Sequence, residues 1–189
     1  MATTRSIPYG HGRRAILDAT IDVVAERGLR GLTYRAVAEK AGVNNTLVAH
    51  HFGSRHGLLE AALAHATERT LERFEAAIRA SDPLSDDLIS RFIGDDIPLQ
   101  AFQFELLLES RRTPAMHDAL ARQYDIYIDA WQDLIGRTGG DREDRALARA
   151  LFAATDGLVL QYLHVASAAD VEAAMGRLRA LLDASRPAG

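Results

Sequence analysis

Residues 42–53 read GVNNTLVAHHFG, setting two asparagines, a threonine and two histidines close behind a glycine. The chemistry open to such residues is recognition rather than catalysis. An asparagine side chain donates and accepts in parallel and matches the edge of adenine in the major groove, while threonine or leucine can touch a thymine methyl. On a helix, Val48 and Phe52 at i, i+4 bury one side and leave Asn45, Thr46, Leu47, Ala49 and His50 on the other. Attraction to a duplex then has to come from neighbouring elements. Arg35 and Arg55 flank the segment and suit phosphates, as do backbone N–H groups at helix N-termini. Plainer readings stand beside these: Asn44 and Asn45 as an ordinary helix cap, and His50 and His51 as a solvated helix end.

The elements that must hold this segment are helical. Leu17, Ile21 and Val24 mark the buried stripe of a first helix over 13–27, with Gly28 as its stop and Gly31 closing a turn. Thr33 suits the N-cap of a helix over 34–41, Gly42 supplies a left-handed turn, and Asn44 can cap a helix over 45–51. Two short helices joined by a tight glycine turn have helix-turn-helix spacing. Ser54 caps a long helix reaching Ala80, striped by Leu59, Leu63, Ala66, Thr70, Phe74 and Ile78. Pro83, Pro98 and Pro114 punctuate the next stretch, with helices near 84–95, 99–112 and 114–137. Asp141 is expected to cap a helix to about 166, and Asp170 a last one to about 185. The pattern predicts an all-α chain of about nine helices.

The chain has 189 residues, 48% of them apolar, which suits one domain or two small ones. It contains no cysteine, which excludes disulfides, cysteine-based zinc sites and thiol nucleophiles. No apolar run has the length of a signal peptide or a membrane span, so a cytoplasmic protein with no membrane partner is expected. The net charge of −4 is unevenly spread. Residues 1–60 hold eight Lys/Arg and five Asp/Glu, net +3; residues 61–189 hold fourteen and twenty-one, net −7. A basic front and an acidic back suggest divided labour, although a swing this small also arises by chance. His50, His51 and His56 make a poor metal site, because adjacent helical residues point about 100° apart and His56 lies past a turn. There is no H-E-x-x-H, no serine elbow and no glycine-rich phosphate loop. No catalytic residue, metal or cofactor is assigned, and an enzyme is not expected.

Beyond this, the stretch from Arg13 to Leu63 resembles the N-terminal domain of the tetracycline-repressor (TetR) family of bacterial transcriptional regulators. The resemblance rests on an amphipathic first helix followed by ERGLRGLTYRAVAEKAGV, a recognition helix, HHF and GSRHGLLEAAL. It implies that Thr33 and Arg35 touch the DNA backbone, that Asn44, Asn45, Thr46, Leu47 and His50 line the base-reading face with His51 beside them, and that Arg55 binds phosphate where the family usually has lysine. The chain departs from the family where Ala49 replaces a usual tyrosine, Leu47 a small hydroxyl residue, and Gly57 an acidic partner for Ser54. The implied organisation is an N-terminal arm over 1–12, a three-helix DNA-binding domain over 13–57, and a helical ligand-binding and dimerisation bundle over 58–189. Arg5, Arg13 and Arg14 could serve an arm entering the minor groove, or belong to a frayed tail.

The helix expected over 141–166 is apolar on more than one face, which asks for a partner. The resemblance implies a two-fold homodimer through the last two helices, with Leu151, Leu158, Val159, Tyr162, Leu163, Met175, Leu178 and Leu182 at the interface. It also implies a sensor for a small-molecule effector, walled by Phe102, Leu106, Tyr127, Trp131 and Gln161, with Glu109 and Asp156 as polar anchors; Tyr124 and Glu105 are further candidates. An aromatic stripe at helical spacing is more usually core, and Asp156 reads first as a structural carboxylate before Gly157. The expected function is a regulator, most simply a repressor, binding a palindromic double-stranded DNA operator and released by its effector. The alternative is a dimeric small-molecule-binding protein without specific DNA binding.

Overall fold

The computed structural model describes residues 9–80, 85–93 and 96–185. Among them lie nine helices and no strand: α1 Tyr9–Gly31, α2 Tyr34–Ala41, α3 Asn45–Phe52, α4 Arg55–Ala80, α5 Leu88–Ile93, α6 Ile97–Ser110, α7 Pro114–Arg137, α8 Arg145–His164 and α9 Ala168–Ser185. The all-α expectation holds, with local corrections. α1 begins at Tyr9 rather than Arg13, so residues 9–12 are helix instead of arm. Arg5 lies outside the described residues. Gly28 breaks the α1 spiral at φ 64°, where the stop was expected, and one further turn carries the chain to Gly31.

Two caps differ from expectation. Asp144, not Asp141, caps α8 by accepting from Leu147 N–H at 2.8 Å, while Asp141 accepts from Glu143 N–H in the preceding turn. Ser167, not Asp170, opens α9. The Ser167 hydroxyl accepts from Asp170 N–H, and the Asp170 carboxylate accepts from Ser167 N–H, a reciprocal cap. The Ser167 hydroxyl, which donates to the Asp170 carboxylate at 2.6 Å, and then the Ser167 N–H hold that carboxyl below its ordinary pKa.

The chain groups into two compact units, the first of residues 1–67 and 101–119, the second of 68–100 and 120–189. The first unit therefore runs ten residues past the expected boundary at 57/58 and takes in a later segment. Its core joins Ile16, Ile21 and Val24 of α1 to Val37 of α2, Val48 of α3 and Leu58, Leu59 and Leu63 of α4, all buried. Burial of such side chains is the main term holding short helices that would be marginal alone. His65 of α4 meets Asp18 of α1 at 2.8 Å and braces the two helices. Phe102, Leu106 and Met116 are also fully buried members of this unit.

In the second unit, Leu88, Ile89, Leu99, Ile128, Trp131, Leu134, Leu151, Val159, Val171 and Met175 are buried. Arg69 reaches Asp96 at 2.5 Å and Arg73 donates to the Phe92 carbonyl, tying the segment around α5 to α4. No helix among the described residues is long and apolar enough to cross a membrane.

Candidate functional site

Backbone chemistry presents α3. Thr33 adopts an extended conformation and its hydroxyl accepts from Ala36 N–H at 3.1 Å, which starts α2. Gly42 ends α2 in the left-handed region, φ 66° and ψ 31°, and its N–H with that of Val43 satisfies the last α2 carbonyls. The chain thus turns within three residues. Asn44 then caps α3, its Oδ1 accepting from Thr46 N–H at 2.8 Å. Asn44 is exposed, and with this oxygen engaged its NH₂ is the group left to donate to a partner.

Val48 is fully buried and anchors the helix, while Asn45, Thr46 and His50 are exposed along one edge. Leu47 is half-buried and lies against the first turns of α1: a Cβ on Gly12 would sit 3.8 Å from its Cδ2. This residue supports the helix as well as bordering its outer edge. His51 is half-buried, its ring 5.8 Å from that of His50 and 6.0 Å from that of Phe52. Among the described residues no group of three or more His, Cys, Asp or Glu is placed to hold a metal ion.

The cations around this edge differ in role. Arg35 and Arg55 are exposed on α2 and α4. Arg55 also donates through Nη2 to the Leu29 carbonyl at 2.5 Å, just past the Gly28 break, so it pins the α1–α2 corner with one of its five N–H groups. Arg13, expected near an arm, belongs to α1, and its guanidinium lies over the Phe52 ring at 5.5 Å. Lys40 is turned to Glu26 and Asp22 of α1, and its hydrogen bond to Glu26 raises its pKa. It therefore contributes little to an outward positive field.

Gly57 has a local reason that the sequence pattern did not reveal. Its N–H donates to the Ser54 hydroxyl at 2.9 Å, which caps α4. A Cβ there would fall 2.6 Å from the Phe52 carbonyl oxygen. The acidic side chain usual at this place would not fit without moving the end of α3.

The expected effector residues divide between the two units. Phe102 and Leu106 are fully buried in the first, with half-buried Glu109 accepting from the Thr113 hydroxyl at 3.2 Å. Tyr127, Trp131, Asp156 and Gln161 belong to the second. Trp131 is buried with its ring 5.3 Å from Phe74, and Gln161 is exposed. Tyr127 is buried and its hydroxyl accepts from Gln123 Nε2 at 3.0 Å. Asp156 accepts from the Tyr124 hydroxyl at 3.4 Å, and burial pushes its carboxyl up to about 6. Burial first, then the neighbouring Asp156, raises Tyr124 as well. Phe152 and Gln123 were absent from the expected set; Phe152 is one helical turn before Asp156, a spacing that could have flagged it.

Of the expected interface residues, Leu151, Val159 and Met175 are already buried within the single chain, at 3%, 4% and 1% exposure, and belong to its interior. Leu158, Tyr162, Leu163, Leu178 and Leu182 are half-buried. The large apolar side chains left open on α8 and α9 are Leu160 and Leu181, at 42% and 69%.

Similarities to known proteins agree with these features. Residues 16–62 match the family model described as bacterial regulatory proteins, tetR family, and residues 84–184 match the tetracyclin repressor-like C-terminal domain. The transcriptional regulator BetI of Burkholderia thailandensis is 42% identical over 53 residues, a match spanning 28% of this chain but only 27% of that relative. A TetR-family protein from Streptomyces coelicolor is 30% identical, with 90% of this chain and 97% of that one superposed at a TM-score of 0.72. The multidrug binding protein EbrR, solved with proflavin, is also 30% identical, with coverage of 90% and 99% and a TM-score of 0.60. With the C-terminal model alone spanning more than half of its length, the chain belongs to the TetR family.

Proposed function

We propose that this protein is a ligand-responsive transcriptional regulator that binds a palindromic operator as a homodimer and leaves it when a small molecule binds. The observation carrying this reading is the exposed α3 edge of Asn45, Thr46 and His50, flanked by exposed Arg35 and Arg55. Asn45 reads a base edge, Thr46 and Leu47 border thymine methyls, and Thr33, Arg35 and Arg55 hold phosphates beside the groove. Asn44 and His50 contribute further contacts at the two ends of the edge, with His51 behind them.

A two-fold dimer supplies the second recognition helix about one DNA turn, roughly 34 Å, away. Leu160 and Leu181 favour α8 and α9 as the dimer face, since both leave apolar surface in water. The effector role draws support from EbrR, which binds proflavin and ethidium. Operator and effector are linked reciprocally: coupling of about 1–3 kcal/mol shifts each affinity roughly 5- to 150-fold.

The test is a mobility-shift titration on the DNA flanking the protein's own gene, repeated across salt concentrations. A regulator with several phosphate contacts weakens steeply as salt rises. Absence of any shift at low salt defeats the reading and favours a dimeric small-molecule-binding protein without specific DNA binding.

A further inference from the structure

The first turns of α1 reach α3 at two places. A Cβ on Gly12 would sit 3.8 Å from Cδ2 of Leu47, in the first half of α3. The Arg13 guanidinium lies over the ring of Phe52, the last α3 residue, 5.5 Å from its centroid. Arg13 is exposed, and its contact with the ring occupies none of its five N–H donors. Among the described residues no carboxylate pairs with it. α1 carries three acids, and each is engaged elsewhere: Asp18 by His65 of α4, and Asp22 and Glu26 by Lys40 of α2. α3 carries no acid, and Glu60 of α4 faces His56. Lys40 is thus a cation of this unit already matched, whereas Arg13 is a cation held in place with its donors still open.

The last carbonyls of a helix carry partial negative charge, so the C-terminal end of α3 by itself repels a phosphate. A guanidinium held over the ring at that end reverses the local sign. The ring face attracts the cation and narrows its freedom, so less entropy is lost when the side chain grips an anion. The planar fork of N–H groups matches phosphate oxygens in pairs. We infer that Arg13 is a further DNA-contacting residue, a phosphate anchor at the C-terminal end of α3 aimed by the Phe52 ring. Its seat on the recognition helix assigns it to the backbone bordering the groove that α3 enters, and not to the minor groove that an N-terminal arm would enter. The inference rests on the operator-binding reading and adds a contact that this reading leaves out.

The full-length protein is titrated across salt with two duplexes of equal length, one from the DNA flanking its own gene and one of scrambled sequence. Arg13→Gln removes the charge and is expected to weaken both duplexes by roughly threefold to tenfold at low salt, and to lower the salt slope by about one. Arg13→Lys keeps the charge without the fork, and is expected to restore the slope and part of the affinity. Phe52→Leu keeps apolar bulk but removes the ring, and is expected to weaken binding about threefold. That loss should vanish when residue 13 is already Gln, the coupling a double-mutant cycle reads. Thermal melts confirm folding; Arg13 is exposed, so the comparison of its two variants stands even where Phe52→Leu lowers the Tm. An unchanged slope in folded Arg13→Gln overturns the inference, as does a slope that Arg13→Lys fails to restore. A loss confined to duplexes with A·T-rich flanks would mean minor-groove entry and overturns it too. Wild-type binding with an unaltered Arg13→Gln slope leaves the regulator standing and removes this contact alone, whereas no wild-type shift on either duplex removes both.

Discussion

Asp156 should cost the folded protein stability, and replacing it should recover that stability. Its carboxyl is raised from 3.8 to about 6, mainly by burial, with the Tyr124 hydrogen bond acting weakly in the other direction. A carboxyl raised by folding holds its proton more tightly in the native state than in the unfolded one. Stability is therefore lost as pH rises from about 4 to about 6, and the loss is complete above that window. At about 1.4 kcal/mol per pH unit the full gap corresponds to roughly 3 kcal/mol, which discounting for the part-exposed side chain reduces to about 2 kcal/mol. Asp156→Asn removes the ionisation while preserving shape. It should be more stable than wild type by about 2 kcal/mol at neutral pH, a rise of roughly 4–8 °C in Tm for a chain of this size. Below about pH 4 the two proteins should converge. The assay is urea unfolding of both across pH, compared as a difference so that groups common to the two cancel. A variant no more stable than wild type at neutral pH, or an advantage that does not shrink on acidification, would refute the assignment of an uncompensated carboxylate.

Further predictions concern the DNA head and the dimer face. Asn45→Ala should relax base preference at one operator position, costing on the order of 1–3 kcal/mol there and little elsewhere, as read by shift assays on single-base operator variants. Arg55→Ala should weaken all DNA alike and lower the salt slope by about one; because Arg55 also holds the Leu29 carbonyl, the melting temperature should fall slightly as well. A change in specificity alone would contradict that division of roles. Gly57→Ala places a methyl against the Phe52 carbonyl and should destabilise the head by about 1–3 kcal/mol, with near-normal chemical shifts beyond α3 and α4. Leu160→Asn combined with Leu181→Asn should shift the protein toward monomer in sedimentation, leaving the helical content unchanged.

What the sequence by itself determined is mostly local. Gly28 and Gly42 occupy left-handed conformations because a residue without Cβ was placed where each helix must stop, and Thr33, Asn44 and Ser54 cap because a short side-chain oxygen precedes a helix. Val48 fixes the buried side of α3, and the exposure of Thr46 and His50 opposite it follows by geometry, while Asn45, nearly one turn before Val48, is exposed at the first position of the helix. Choices between equivalent local options needed the tertiary structure. Asp141 and Asp144 are both competent caps; packing that buries Ala148 and Leu151 sets where α8 starts. The helix expected over 141–166 is apolar on more than one face, and only the fold shows that Leu151 and Val159 are buried inside while Leu160 stays open. Neither the Arg55 bond to Leu29 nor the Arg13 stacking on Phe52 spans residues near in sequence, so no spacing could announce them. The meeting of Tyr124 with Asp156, 32 residues apart, belongs to the same class. Local chemistry writes helices and their ends into the chain, but which distant side chains share a dielectric environment is decided only when those helices pack.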